Sequence, residues 1–220
     1  MTEDGYSVVR SGVSTQLLDQ IYAECKSLTA HRGIRSDGSF WHSAHSEPVD
    51  DLQVWWTTHL GEHVVSAIDQ QLRPWVQLES PYSVYTVDCV WSAATNASVH
   101  PHVDTPYRFS QWQGDSRLLA QQFIVPLDAV DSWNGATGIV KGSHRYIWPI
   151  DCCYAGLYDQ FFAANCEQPS MSVGDFLTYD PRVLHSTMPN YSGVARPVLL
   201  VSYLLDSLVS EVAAVDESKA

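Results

Sequence analysis

The stretch Gly174–Tyr203, GDFLTYDPRVLHSTMPNYSGVARPVLLVSY, decides the fold. Within and around it lie three runs of strand character: Ser172–Tyr179, opened by Gly174-Asp175, then Leu184–Met188 and Val198–Leu205. Turn formers separate them, most densely in Pro189-Asn190-Tyr191-Ser192-Gly193. Upstream the same texture recurs in Tyr82–Trp91, Leu118–Leu127 and Thr137–Lys141, with Asn134, Gly135, Lys141 and Gly142 as turn residues. Before Pro81 the period changes. Leu17, Leu18, Ile21, Tyr22, Cys25 and Leu28 recur at helical spacing over Ser14–Leu28, with Ser14 or Thr15 as cap. His31–Val49, rich in Gly, Ser and His, reads as loop. A second helix is predicted over Asp50–Leu72, carrying Leu52, Trp55, Trp56, Leu60, Val64, Val65, Ile68 and Leu72 before Pro74 stops it. Helices followed by strands predict a mainly β fold, an antiparallel sandwich or barrel buttressed by N-terminal α-helices. Ser143–Ser170 has no clear period and reads as an insertion or lid, and the tail from Glu211 reads as frayed.

A chain of 220 residues, 45% of them hydrophobic, can bury one substantial core. We therefore expect a single domain over 1–220: a helical buttress over 1–80, a β core over 81–206 and a tail over 207–220. Lys and Arg number 12 against 25 Asp and Glu, and the net charge of -13 repels a phosphate backbone, which disfavours nucleic acid as a partner. No run of about 18 apolar residues exists, so no membrane span is expected. Met1–Arg10 is acidic and lacks an export-type apolar core. Five scattered cysteines without a C-x-x-C pair point to reduced thiols and a cytoplasmic setting.

The densest chemical signal is Val99-His100-Pro101-His102-Val103-Asp104. In a strand, alternation would turn His100, His102 and Asp104 to one side. Two imidazoles and a carboxylate on one triangular face, with the opposite positions open, suit Fe(II) that must also take substrate and dioxygen. His102 and Asp104 can supply two of those ligands, and His100 is the alternative to His102. His185 is the candidate for the third. A hairpin centred between Asn190 and Tyr191 sets His185 opposite Arg196, whose planar fork matches a carboxylate. A dicarboxylate chelating a metal on His185 would then reach Arg196 with its far end. His59 and His63, four residues apart, lack the Glu of a zinc-protease motif and read as surface residues.

These residues resemble the phytanoyl-CoA dioxygenase family of 2-oxoglutarate-dependent oxygenases. Four features occur in that family's order: His102-x-Asp104, the stretch QQFIVPLDAVDSWNGATGIVKGSHR over Gln121–Arg145, Gly174-Asp175, and His185 with Arg196 behind it. The resemblance covers roughly Tyr82–Leu205, and the Ser143–Ser170 segment is not matched within it. It implies a double-stranded β-helix (jelly roll, cupin-like) and catalytic Fe(II) on His102, Asp104 and His185. It also implies 2-oxoglutarate as co-substrate on Arg196, touched by Gln122, and dioxygen as co-reactant. The default reaction is hydroxylation of a C–H bond in a small-molecule substrate, with succinate and CO2 released. Related halogenases carry a small residue in place of the carboxylate ligand, so Asp104 speaks against halogenation, while desaturation, epimerisation and cyclisation stay open. Arg108, Arg117, Lys141 and Arg145 gather near the expected mouth and hint at an anionic substrate. The loop Thr105–Arg117, with Tyr107, Phe109 and Trp112, reads equally as a pocket cover or as ordinary packing. The competing readings are a non-catalytic β-helix binding protein and a cupin-like metalloenzyme that uses His100, His102 and His185.

Overall fold

The computed structural model describes residues 2–30, 55–60, 62–79, 81–92, 94, 98, 100–149 and 156–217. In chain order the elements are β1 (Tyr6–Val9), α1 (Thr15–Ala30), β2 (Trp55–His59), α2 (Glu62–Leu72), β3 (Tyr82–Ser92), β4 (Ala120–Pro126), β5 (Gly138–Val140), α3 (Asp159–Asn165), β6 (Cys166–Glu167), β7 (Phe176–Tyr179), β8 (His185–Ser186), β9 (Arg196–Leu205) and α4 (Val209–Glu217). Six strands pair antiparallel in the order β1-β7-β4-β9-β3-β2, and three more in the order β6-β5-β8. The fold is a double-stranded β-helix with helices packed outside the larger sheet, as expected. No helix among the described residues is long and apolar enough to cross a membrane.

Period-two alternation sorts the large sheet into two faces. Val87, Cys89 and Trp91 of β3, Phe123 and Val125 of β4, Phe176 of β7, and Leu199, Val201 and Tyr203 of β9 form one buried cluster with Leu18, Ile21 and Cys25 of α1 and Val64, Ile68 and Leu72 of α2. Each such large apolar side chain contributes about 1.5–3 kcal/mol when fully buried. The intervening residues turn the other way. Ile124, Leu177, Tyr179 and Val198 pack with Ile139 and Val183 of the small-sheet side. The helix over Ser14–Leu28 is present as α1. It begins after Ser14, whose Oγ faces the Leu17 N–H and whose carbonyl accepts from Leu18.

Gly174-Asp175 does more than open β7. Gly174 adopts a φ of 97°, and a Cβ there would lie 3.2 Å from both Thr15 Cγ2 and the Val13 carbonyl. The Asp175 carboxylate accepts from the Ser11 and Ser172 N–H groups, each at 2.9 Å, and from Arg10 at 2.7 Å. Together these bonds tie the N-terminal segment to the sheet and hold the Asp175 carboxyl below the usual carboxylate range despite its burial.

Several expectations are corrected. The helix over Asp50–Leu72 is confined to α2, because Trp55–His59 is a strand on the free edge of β3. Its Trp-Trp-Thr-Thr composition favours a pleated edge over a helix. The 1–80 region therefore supplies two strands as well as helices. The loop over His31–Val49 lies outside the described residues. Tyr6–Val9 and Cys166–Glu167 are strands too short to show a period. The 143–170 segment contains α3 and β6, and its residues 150–155 are outside the described set. The tail is not frayed from Glu211 but helical through Glu217, with Val212 wholly buried against Tyr107, Phe109, Trp112, Leu119, Ala120 and Leu204. Replacing Val212 with Asp inserts an unpaired carboxylate there, and we expect urea denaturation to show a loss of about 3 kcal/mol or more; a frayed tail would show none.

Candidate active site

His102 and Asp104 do not lie on a long strand. His102 forms a single antiparallel bridge to His185, with His102 N–H to His185 carbonyl at 2.9 Å and the reciprocal bond at 3.1 Å. The Asp104 N–H donates to Pro181 at 2.8 Å. Beneath the bridge, Val103, Val140 and Leu184 belong to one buried cluster. Ser143 Oγ accepts from the Leu184 N–H at 2.8 Å and donates to the Val140 carbonyl at 2.6 Å, which fixes the segment entering His185. Two stretches 83 residues apart are thus sewn together at the level of the imidazoles.

One ligand atom from each of His102, Asp104 and His185 falls within a 4.8 Å span. His102 Nε2 lies 3.8 Å from Asp104 Oδ1, and His185 Nε2 lies 3.3 Å from Asp104 Oδ2. Each imidazole turns Nδ1 to the carbonyl two residues before it: His102 to His100 at 2.9 Å, His185 to Val183 at 3.0 Å. Nδ1 therefore carries the proton and Nε2 presents its lone pair to the centre of the group. Withdrawal from water, reinforced by His185, lowers the His102 pKa to about 4, although the Asp104 carboxylate opposes the shift. The ring is neutral near pH 7, the form a metal requires.

His100 does not join this group. Its ring turns outward to the Asp159 carboxylate at 3.1 Å, and only its carbonyl serves the site, by orienting His102. The same-face expectation fails because the chain at 100–104 is not in a regular strand. That removes the cupin-like ligand set.

A cavity of about 330 Å³ opens on the three candidate ligand residues. Its floor comes from the inward positions of three strands: Asp88, Val90 and Ser92 of β3, Ile124 of β4, and Arg196, Val198 and Leu200 of β9. Thr137, Thr187, Tyr179 and Arg108 complete the wall. Arg196 therefore shares the cavity with His185, but not as its cross-strand neighbour. Arg196 pairs with Ser92, while His185 pairs with Ile139. The segment after His185 is a crossover between sheets, and Asn190 organises it. The buried Asn190 amide donates to Val194 at 2.8 Å and to the Ser92 carbonyl at 3.3 Å, and its oxygen accepts from Ser192.

Arg196 is 4% exposed. One terminal nitrogen donates to Ser92 Oγ at 2.8 Å, Nε has no partner, and no carboxylate among the described residues pairs with it. Burial alone lowers its pKa to about 10, so it remains a cation at neutral pH. A sealed guanidinium with unused donors can receive an anion. The donor set and this cation together fit a ferrous ion and a dicarboxylate.

Gln122 is corrected. It is buried but absent from the cavity wall, and its amide oxygen accepts from Ser202. In register it sits opposite Ser202, six residues along β9 from Arg196, roughly 20 Å between their backbones at about 3.3 Å per residue, and beside Tyr179 of β7. Of the four basic residues expected at the mouth, only Arg108 reaches the cavity. Arg117 pairs with Asp115, Lys141 with Asp4, and Arg145 donates to the Glu3 carbonyl. The loop aromatics Tyr107, Phe109 and Trp112 are core under α4 and do not form a lid. Trp133 and Tyr146 are exposed, Trp148 is core, and Trp41 and His42 lie outside the described residues. His63 is a surface partner of Glu24. Nothing in the sequence marks Asp88, Ser92, Thr137 or Thr187, because their inward facing follows only from how the strands and their flanks are placed.

The family model for phytanoyl-CoA dioxygenase (PhyH) matches residues 1–198. The chain belongs to the phytanoyl-CoA dioxygenase family. Membership places it among the Fe(II) and 2-oxoglutarate-dependent oxygenases. No curated protein sequence matches the chain. Among solved structures, HygX from Streptomyces hygroscopicus, crystallised with nickel, 2-oxoglutarate and hygromycin B, superposes with a TM-score of 0.66 at 15% identity, covering 93% of this chain and 84% of HygX. The non-haem α-ketoglutarate-dependent epimerase SnoN from nogalamycin biosynthesis gives 0.63 at 19% identity, covering 92% and 79%. EvdMO1 gives 0.65 at 16% identity, and the chain, 92% covered, spans only 48% of the EvdMO1 length. At these identities the likeness is one of fold.

Replacing Arg196 with Met removes a buried cation that lacks a counter-charge. We expect the ligand-free variant to be more stable than the parent by on the order of 1 kcal/mol in chemical denaturation; a variant less stable than the parent would show that Ser92 and the wall already satisfy the guanidinium.

Proposed function

We propose that this member hydroxylates a C–H bond of a small metabolite or natural-product intermediate, with His102, Asp104 and His185 holding Fe(II) and Arg196 anchoring 2-oxoglutarate. One observation carries the reading: the His-Asp-His group and the buried, uncompensated Arg196 open into the same small cavity. When bound, the iron and co-substrate supply dioxygen activation, with 2-oxoglutarate converted to succinate and CO2. The chain's own residues do the positioning. Arg196, with Ser92 beside it, receives the far carboxylate. Val90, Ile124, Val198 and Leu200 give the cavity an apolar floor that keeps water from the reacting atoms. Arg108, on the loop after Asp104, is the group that would hold an anionic substrate near the ligands, and its charge is close enough to lower the His102 pKa.

The volume of about 330 Å³ lies at the small end of ligand cavities, which favours a compact substrate. HygX and SnoN are crystallised with natural products, in keeping with that class. Hydroxylation is preferred as the default outcome of the retained carboxylate ligand, and SnoN shows that the fold also carries an epimerase. The described cysteines Cys25, Cys89 and Cys166 form no disulfide, which suits a cytoplasmic setting.

Anaerobic addition of Fe(II) and 2-oxoglutarate is expected to produce the weak visible charge-transfer band of a chelated keto acid. Asp104→Ala or Arg196→Ala should each abolish or strongly weaken it. Under the same conditions, ligand at one hundred times its Kd should raise stability by roughly 2.7 kcal/mol, and Arg196→Met should lose that gain. A band that is absent from the parent, or unchanged in both variants, sinks the proposal.

A further inference from the structure

We infer that Tyr179 is a positioning residue that holds Asp104 as a one-oxygen ligand and locks the plane of the His185 ring; the inference rests on the assignment of those two residues as ligands. Tyr179 ends β7, paired with Tyr6 of β1 on one side and Gln122 of β4 on the other, so its backbone is held in the interior of the six-stranded sheet. Its side chain is 1% exposed. The phenol donates to Asp104 Oδ2 at 2.8 Å and lies 3.4 Å from His185 Nε2. The ring packs against the His185 imidazole, with centroids 4.8 Å apart and planes 57° to each other. One rigid side chain thus touches two of the three ligand residues through different atoms.

A carboxylate can bind a metal through one oxygen or through two, and the choice sets how many positions stay open. A keto acid occupies two positions and dioxygen needs a third, so two imidazoles and one carboxylate oxygen leave the required number on a six-coordinate ion. A second carboxylate oxygen would take one of them. The Tyr179 hydroxyl engages Oδ2, fixes the rotation of the carboxylate and opposes that second contact. Among the described residues, Tyr179 is the side-chain hydroxyl that donates to the Asp104 carboxylate. Its backbone is fixed independently, through Pro181 and Arg108. The carboxylate orientation therefore depends on this phenol.

The test titrates the metal-free protein with Co(II) and follows the visible ligand-field spectrum, with thermal unfolding of each metal-free protein alongside. Tyr179→Phe keeps the ring and removes the hydroxyl. It is expected to weaken Co(II) binding by about 10–100-fold and to alter the spectrum, with the metal-free unfolding temperature little changed. Equal affinity and an unchanged spectrum would overturn the positioning role while the ligand assignment stands. A parent that binds no Co(II), or an Asp104→Ala variant that binds it as well as the parent, removes the ligand assignment instead. X-ray absorption fine structure of the parent Co(II) protein needs no variant: one carboxylate oxygen at bonding distance supports the inference, and a chelating Asp104 overturns it. A phenolate charge-transfer band in the parent after loading with Fe(III), lost in Tyr179→Phe, would make Tyr179 a ligand and would equally overturn it.

Discussion

Side-chain alternation along four central strands, β3, β4, β7 and β9, is the constraint from which the rest of this molecule follows. Val87, Cys89, Trp91, Phe123, Val125, Phe176, Leu199 and Val201 pack onto α1 and α2, while Asp88, Val90, Ser92, Ile124, Tyr179, Arg196, Val198 and Leu200 look into the cavity. The core and the site are therefore two sides of one object. The apolar burial that stabilises Phe123, Leu199 and Trp91 is what holds Ile124, Val198 and Ser92 in place on the opposite face. A one-residue slip of β9 would send Arg196 into the helix layer and Pro197 into the cavity. The flanking register, unbroken from Ser92↔Arg196 to Thr86↔Ser202, guards against that slip.

Against this background, Arg196 is an expense accepted for recognition. A guanidinium sealed beside Ser92 without a carboxylate weakens the empty protein and creates a strong preference for an anion. His102 shows the same logic with opposite sign. Burial and its histidine neighbour keep it neutral, so a metal would meet a lone pair and not a proton. On the proposed reading the site would be prepared electrostatically on both sides, with a cation where the co-substrate would sit and neutral donors where iron would bind.

Much of this was legible from residue order. His102, Asp104, His185 and Arg196 announced themselves by type and sequence, and the structure gathers all four. The pairing between His185 and Arg196 was not legible. A Pro-Asn-Tyr-Ser-Gly turn looks the same whether it closes a hairpin or carries the chain to the opposite sheet, and the deciding contact, Asn190 to Ser92, spans 98 residues. Trp55 and Trp56 fitted a helical period by chance, since only the open edge of β3 makes them strand. Glu211 and its charged neighbours hid Val212, whose burial depends on Tyr107 and Leu204 arriving from elsewhere. Gln122 faces inward but bonds Ser202 and stays off the cavity wall, a distinction that the sequence does not carry. What failed was long-range in each case; what succeeded was local chemistry.

The hydrogen bond that each ligand histidine makes to the carbonyl two residues before it has a wider consequence. His102 and His185 carry their own orienting groups in the chain that immediately precedes them, at His100 and Val183. Neither tautomer depends on a distant side chain that could drift. Thr137 and Thr187 line the cavity while Nδ1 of each ring is held by its own chain, so they can change identity while the imidazoles keep their aim. The scaffold thereby separates what would hold a metal from what would select a substrate: the wall can be altered while the two imidazoles keep their arrangement.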